Sequence, residues 1–241
     1  MTRALNTGGA LERPDALRYP QRMTTAAPPL SIYQLRIVLR GISPLIWRRV
    51  LVHSHTTLAH LHTILQILFA WSDEHLHSFH IHGREYGSSG APTHGVLLLD
   101  LCLHRGERFR YVYDFGAYWE CDIRLEALLP LAPRRIYPVC IGGKRAAPPE
   151  DCRGAWGYLE QLDQHRLYPP LEAMGVVAEA ISTLLAADPQ TSVRAALGDL
   201  DAFREAVDSL EAYEQFRPDH FDRHEVNTQL QSVVWSGEET P

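Results

Sequence analysis

Strict apolar alternation constrains this chain more than any other feature. Arg108–Tyr113 reads R-F-R-Y-V-Y and sets Phe109, Tyr111 and Tyr113 on one side. After the turn Asp114-Phe-Gly-Ala117, the residues Trp119, Cys121, Ile123 and Leu125 do the same. Residues two apart on a strand share a face, so the spacing predicts a β-hairpin with an aromatic inner side. Tyr33–Arg40 repeats the pattern with Tyr33, Leu35, Ile37 and Leu39, and Ile46–Val52 returns after Gly41-Ile-Ser-Pro44 as a second hairpin. Half-apolar strands need a cover. The stretch 57–70 supplies one, with Leu58, Leu61, Leu65, Leu68 and Phe69 on a helical stripe that Ile64, Ile67 and Trp71 widen. Thr56 or Thr57 is placed to cap its start by accepting a backbone N–H bond.

Between helix and second hairpin lies Trp71–Gly87, which holds His75, His77, His80 and His82. Ten of the chain's 13 histidines fall between His53 and His104, so this is a local concentration. Read as a strand, the segment points His77, Phe79 and Ile81 inward and Ser78, His80 and His82 outward. A buried His77 ring needs hydrogen-bond partners, and Asp114 and Glu74 are the carboxylates nearest in sequence logic.

The remainder divides in order. Residues 1–30, with Gly8-Gly9, Pro14, Pro20 and Pro28-Pro29, read as a tail, and Met23 reads as an alternative start. A core over 31–163 follows. Within it, Pro133–Gly157 carries four prolines and four glycines and reads as a long functional loop, with Glu150-Asp151 opening a helix. Residues 164–235 read as a mainly helical extension packing on the core, and 236–241 as a second tail. Leu171, Met174, Ala178, Ile181 and Leu185 form one stripe, and Leu200, Phe203, Val207 and Leu210 another. Asp222 with Glu225 marks the start of a last helix ending near Val234. The fold class expected is α+β, an antiparallel or mixed sheet of two hairpins and a His-rich strand packed on a buried helix.

Net charge is −6 but unevenly spread. No carboxylate occurs from Ala16 to Ser72, where Arg36, Arg40, Arg48 and Arg49 lie, whereas Asp199–Glu225 holds nine acids. The two parts are expected to attract each other within one fold; the alternative is an anionic partner for the basic part. Four cysteines without a C-x-x-C pair, no secretory h-region and no membrane-length apolar run make a cytoplasmic location with reduced thiols the default expectation.

Several ordered pieces together resemble the plasmid pRiA4b ORF-3-like family. They are Tyr33–Val52, His75-Leu-His-Ser-Phe79, Tyr111–Trp119 (Y-V-Y-D-F-G-A-Y-W), Tyr137–Gly157 with its Pro-Pro-Glu-Asp, and Phe221–Asn227 (F-D-R-H-E-V-N). The resemblance implies an α+β domain with a sheet packed on helices, and implies no activity. Departures from the family pattern are Ala147, where a cysteine is common, Ala117 and Tyr118, where an acid is usual, and a longer helical stretch over 164–218. No Ser/Arg recombinase pattern, H-E-x-x-H or Ser-His-Asp order is present, and Gly142-Gly143-Lys144 is too short for a phosphate-binding loop.

The site candidates follow from these placements. His77, Asp114 and Glu120 are the catalytic candidates, a buried base with orienting carboxylates. His75, His80 and His82 are the metal candidates, because H-x-H on a strand sets two Cα atoms roughly 7 Å apart on one face. Arg36, Arg40, Lys144, Arg145 and Trp156 are the binding candidates, for a protein partner or nucleic-acid phosphates. No resident cofactor is expected unless the histidines take a divalent metal, and no membrane partner is expected. The function expected is a non-catalytic interaction module, with possible pairing of two copies through the C-terminal helices. The competing expectation is a metal-assisted hydrolase built on His75, His77, Asp114 and Glu120.

Overall fold

The computed structural model describes residues 30–188 and 192–233. The expectations for Met23, for nearly all of the first tail and for the second tail fall outside the described residues, as does Val234. Two hairpins and a histidine-bearing one merge into a single seven-stranded sheet in which every strand pair is antiparallel. In chain order the strands are β1 (Ser31–Leu39), β2 (Ile46–His53), β3 (His77–Ile81), β4 (Arg84–Gly87), β5 (Arg108–Tyr113), β6 (Trp119–Pro130) and β7 (Val139–Lys144). Across the sheet they run β4-β3-β5-β6-β1-β2-β7. The mixed alternative is thereby resolved in favour of an antiparallel sheet.

The first helix, α1 (Leu58–Phe69), is capped by Thr57, whose side chain accepts from the His60 N–H. Its buried face meets the inner side of the sheet, where Tyr33, Leu35, Ile37, Leu39, Phe79, Phe109, Tyr111, Trp119 and Ile123 form one core. At roughly 25 cal/mol per Å² of apolar surface removed from water, this layer is the main driving force for the fold. The region expected to be one long loop over 133–157 instead contains β7. Gly142 and Gly143 on that strand give no alternation signal, which is why the sequence pattern hides it.

Arg48, on β2, points into this core and is 1% exposed. Its Nε donates to the Leu68 carbonyl at the end of α1 (2.9 Å) and its Nη1 to the carbonyls of Trp47 (2.9 Å) and Lys144 (3.1 Å). Its guanidinium lies 4.0 Å from the Phe221 ring centroid. Burial lowers its pKa to about 10, which leaves it charged at neutral pH. One side chain thus ties a helix end, a strand edge and the C-terminal segment together.

The helices after the sheet are α2 (Gly154–Leu167), α3 (Leu171–Ala186), α4 (Val193–Leu197), α5 (Leu200–Gln215) and α6 (Arg223–Ser232). Helix α2 begins at Gly154, not at Glu150, because Arg153 and Gly154 take positive φ (+62° and +75°), which interrupts right-handed helical geometry between them. Helix α6 seals the open edge of β7. The Asn227 amide accepts from the Cys140 N–H (2.7 Å) and donates to the Cys140 carbonyl (3.0 Å), imitating a neighbouring strand. A Cβ on Gly143 would collide with the Phe221 ring, so glycine there lets α6 dock. Helix α5 is held to α2 where His165 stacks on Tyr213, with ring centroids 4.0 Å apart.

Candidate functional site

Three of the family-like motifs converge at one end of the sheet, beside the end of α1. The Glu150 carboxylate of Pro-Pro-Glu-Asp accepts from the Ser72 N–H (2.6 Å), the Ser72 hydroxyl (3.0 Å) and the Tyr113 hydroxyl (2.5 Å). His75 Nε2 lies 3.5 Å from Glu150 and 3.9 Å from Asp114. The Trp119 indole N–H donates to the Glu150 carbonyl (3.1 Å). Burial pushes the Glu150 pKa up, but these donors overcome it and hold the carboxylate below its usual range. Burial, then the Glu150 carboxylate, push the Tyr113 hydroxyl well above its ordinary value. Ser72 and Tyr113 donate to the Glu150 carboxylate and Trp119 to its backbone carbonyl, so the cluster locks the 145–153 connection onto the sheet.

One layer deeper sits a closed hydrogen-bond ring that the sequence reading missed. The His62 Nε2 pairs with Asp73 Oδ1 (2.6 Å), and its Nδ1 with the Tyr111 hydroxyl (2.7 Å). Gln66 Nε2 donates to the same hydroxyl (2.9 Å), and Gln66 Oε1 accepts from the Asp73 N–H (3.2 Å). The consistent assignment has His62 donating from Nε2 and accepting at Nδ1. The order Asp73, His62, Tyr111 is that of a general-base relay, but Tyr111 is 0% exposed and its hydroxyl is already shared by two side chains. A substrate has no access to that oxygen, and the ring serves to pin α1 to β5. Polar residues four apart on an otherwise apolar helix, His62 and Gln66, were the available signal.

His77 faces inward as its alternation implies, but its partner is not Asp114. Its ring stacks on His62, with centroids 3.6 Å apart and planes at 12°. Its Nε2 is buried with no hydrogen-bond partner. Burial, reinforced by the neighbouring imidazole and opposed by Asp73, pushes its pKa down to about 4. Burial likewise lowers that of His62, against the pull of Asp73. In the sheet His77 pairs with Tyr113, and Asp114 lies beyond the strand end, where its carboxylate accepts from the Gly116 N–H (2.9 Å).

The catalytic set is therefore not assembled. Trp119 and Cys121 face inward, so Glu120 between them points to the opposite side of the sheet, where it binds Arg40 (2.9 Å) and Arg110 (2.7 Å). The metal set is not assembled either. His80 bonds the Ser78 hydroxyl (3.0 Å), while His82 has left the strand at φ +51° and pairs with Glu107 (2.5 Å). His75 and His82 are seven residues apart along an extended chain, roughly 20 Å at full strand rise. Among the described residues no group of three or more His, Cys, Asp or Glu is arranged to hold a metal ion.

The outer face of the sheet carries the binding candidates Arg36 and Arg40. Register places Arg49, Arg36, Arg124 and Arg108 side by side across β2, β1, β6 and β5. Arg49 is neutralised by Glu126 (2.6 Å), and Arg40 by Glu120. Arg36, Arg108 and Arg124 have no ion pair among the described residues. The Arg36 guanidinium lies 5.4 Å from the Trp47 ring centroid, and its Nε is buried without a partner. A shallow depression of about 440 Å³ opens next to the row, lined by Gln34, Arg105, Gly106, Arg124, Glu126 and Ala127. The expected attraction between the basic stretch and the C-terminal acids is not what neutralises these arginines: the acids of β6 do that.

The remaining candidates separate. Lys144 is exposed at the end of β7, whereas Arg145 is buried and pairs with Asp219 (3.2 Å) ahead of α6. Trp156 is exposed on α2 with the Arg153 guanidinium 5.6 Å from its ring centroid.

Comparison with known proteins fits this architecture. Residues 31–169 match the model of the plasmid pRiA4b ORF-3-like protein family. The uncharacterized protein y4hQ of Sinorhizobium fredii (strain NBRC 101917 / NGR234) is 33% identical over 138 residues, 54% of this chain and 71% of that protein. The crystal structure of MM3350, a protein of unknown function from Methanosarcina mazei Go1, superposes with a TM-score of 0.56 at 30% identity, covering 80% of this chain and 96% of that one. Among the described residues no helix is long and apolar enough to cross a membrane. With the family model matched over residues 31–169, more than half of its length, the chain belongs to the plasmid pRiA4b ORF-3-like family.

Proposed function

We propose that the protein is a non-catalytic interaction module whose outer sheet face binds the phosphate backbone of nucleic acid. The observation that carries this reading is the in-register row of arginines, three of which form no ion pair among the described residues. Like charges directly opposite one another in a sheet are destabilising, so the row costs stability that an anionic ligand would offset. Guanidinium groups present forked donors that suit phosphate oxygens. The apolar cluster on this face, Ile32, Leu51 and Tyr137, is buried and does not supply the exposed anchor that most protein partners use. The Trp47 ring centroid lies 5.4 Å from the guanidinium groups of both Arg36 and Arg49. Tyr33, Phe109, Tyr111 and Trp119 are buried on the other side, which leaves no platform for base stacking and supports backbone contacts without sequence readout. Four free thiols, with Cys102 exposed, suit a reducing compartment such as the cytoplasm.

Fluorescence anisotropy with labelled duplex and single-stranded DNA of mixed sequence tests the reading. Around physiological salt and above, the logarithm of wild-type affinity should fall linearly with log salt. Replacing Arg36, Arg108 and Arg124 with Gln should reduce the slope by about 0.9 per residue that contacts a phosphate on duplex DNA. Absence of binding at low salt, or equal slopes for wild type and triple variant, would refute it. Binding of polyglutamate in place of DNA would assign the face to an acidic protein partner instead.

A further inference from the structure

The turn 104–107 leads into β5 and is tied to β6, where the Gly106 N–H donates to the Leu125 carbonyl (2.7 Å) and the Leu125 N–H to the Glu107 carbonyl (3.0 Å). Gly106 takes φ +92°, a conformation that suits glycine, and a Cβ there would stand 3.7 Å from the Arg124 guanidinium. The turn thereby brings Arg105 together with Arg124 in the lining of the depression of about 440 Å³. Both arginines are exposed, and neither forms an ion pair among the described residues. Arg105 is nonetheless held in place, because its Nε donates to the Glu126 carbonyl (3.0 Å). The carboxylate of the lining, Glu126, is already taken: it accepts from Arg49 Nε (2.6 Å) and Nη2 (3.0 Å) and from Gln34 Nε2 (2.8 Å). The Arg49 hydrogen bonds hold it below the usual carboxylate range. The depression therefore carries two uncompensated cations, Arg105 and Arg124, and no uncompensated anion.

We infer that this depression seats a terminal phosphate, the monoester at the end of a nucleic-acid strand or on a free nucleotide. The inference rests on the outer-face reading and adds to it a preference for phosphorylated ends. An internal phosphodiester carries one charge and must continue on both sides. A terminal monoester carries a charge of about −1.5 to −2 at pH 7 and offers three acceptor oxygens. Two guanidinium groups match that charge, and their forked donors match several oxygens at once. The depression is also continuous with the row through Arg124, so a strand whose phosphates follow Arg36 and Arg124 can end in it. Its volume lies within the range of small-ligand sites.

Fluorescence anisotropy tests this with single-stranded DNA of one sequence, labelled internally, bearing a phosphate at its 5′ end, at its 3′ end or at neither. A phosphorylated end should bind about tenfold more tightly, the value of one charge-assisted contact. R105Q should remove that preference, whereas R36Q should weaken all three strands by the same factor and keep it. AMP should displace the phosphorylated strand and adenosine should not. AMP binding as tightly as that strand assigns the site to free nucleotides, and weaker AMP binding assigns it to strand ends; both uphold a monoester site. DNA binding with no preference for a phosphorylated end, or a preference that R105Q retains, overturns the inference and leaves the outer-face reading standing. If no DNA binds, the outer-face reading has failed and phosphorus NMR of AMP decides the depression by itself. Broadening of the AMP line by wild type and not by R105Q/R124Q upholds it, and no broadening overturns it.

Discussion

Acidification should loosen the contact between α1 and β3 before it titrates most carboxylates, and His77 is the main group responsible, beside His62, whose pKa burial also lowers. The pKa of His77 falls from an ordinary 6.5 to about 4 because burial and the stacked His62 ring both oppose its charge, with Asp73 opposing them only in part. Between those two values the unfolded chain binds a proton and the folded chain does not. Stability is therefore complete above pH 6.5 and is lost as pH falls toward about 4. The full shift corresponds to an upper limit of about 3 kcal/mol at 1.36 kcal/mol per unit. Only part of it has developed by pH 5, and solvent reaching one edge of the ring reduces it further, to about 1 kcal/mol. Urea denaturation at pH 7 and pH 5 reads this as a midpoint drop of about 0.5 M for a chain of this size. The variant H77F keeps an aromatic ring on His62 and removes the proton, so its midpoint should move much less over the same interval. Equal drops in wild type and H77F would show that some other group senses the acid and would refute the reasoning.

Removing the shared hydroxyl with Y111F strands His62 Nδ1 and the Gln66 amide in the core, and should destabilise by about 2–6 kcal/mol at about 1–3 kcal/mol per stranded group, measured by chemical denaturation. R48M leaves three carbonyls without their donor, with an expected loss of at least about 2 kcal/mol, and R48K should not restore it because an ammonium cannot span the fork. Thiol labelling of the native protein should modify Cys102 rapidly and Cys121, Cys140 and Cys152 only on unfolding; burial pushes all three buried thiols up.

Alternation alone made β1, β2, β5 and β6 legible, since each has one apolar face and one charged one. Thr57 and the leucine stripe did the same for α1. The strands that escaped notice are the edges. β4 has no buried residue, and on β7 Gly142 and Gly143, one on each face, supply no side chain to mark the alternation. Facing was legible where neighbours were apolar, as for His77, but partners were not. The proximity of His77 to His62 depends on how α1 lies over β3, a long-range fact with no local trace. Glu120 does not join His77 and Asp114 because the same alternation that turns Trp119 and Cys121 inward turns it to the outer face. For α3 the stripe was visible and its facing was not: Ala173 and Ala180 are buried while Leu171, Met174, Ile181 and Leu185 are exposed, and a helix apolar on two sides does not say which side its neighbour takes.

The segregation of charge between the arginine row and α5 leads to one more consequence for binding. The acids Glu205, Asp208 and Glu211 are exposed on α5, and none of them neutralises the outer sheet face. At physiological salt the screening length is about 8 Å, so a polyanion at that face senses mainly the arginines. At about 0.01 M salt the length grows to roughly 30 Å and the net negative charge of the whole chain is felt as well. Plots of log affinity against log salt should therefore flatten at the low-salt end, where repulsion from the helices offsets the gain from counterion release. Neutralising the three acids with Gln should straighten the plot without altering its slope near physiological salt. A wild-type plot that is already straight through the low-salt range would mean that the acids and the bound polyanion do not interact, and the outer-face assignment would then have to stand on the arginine substitutions alone.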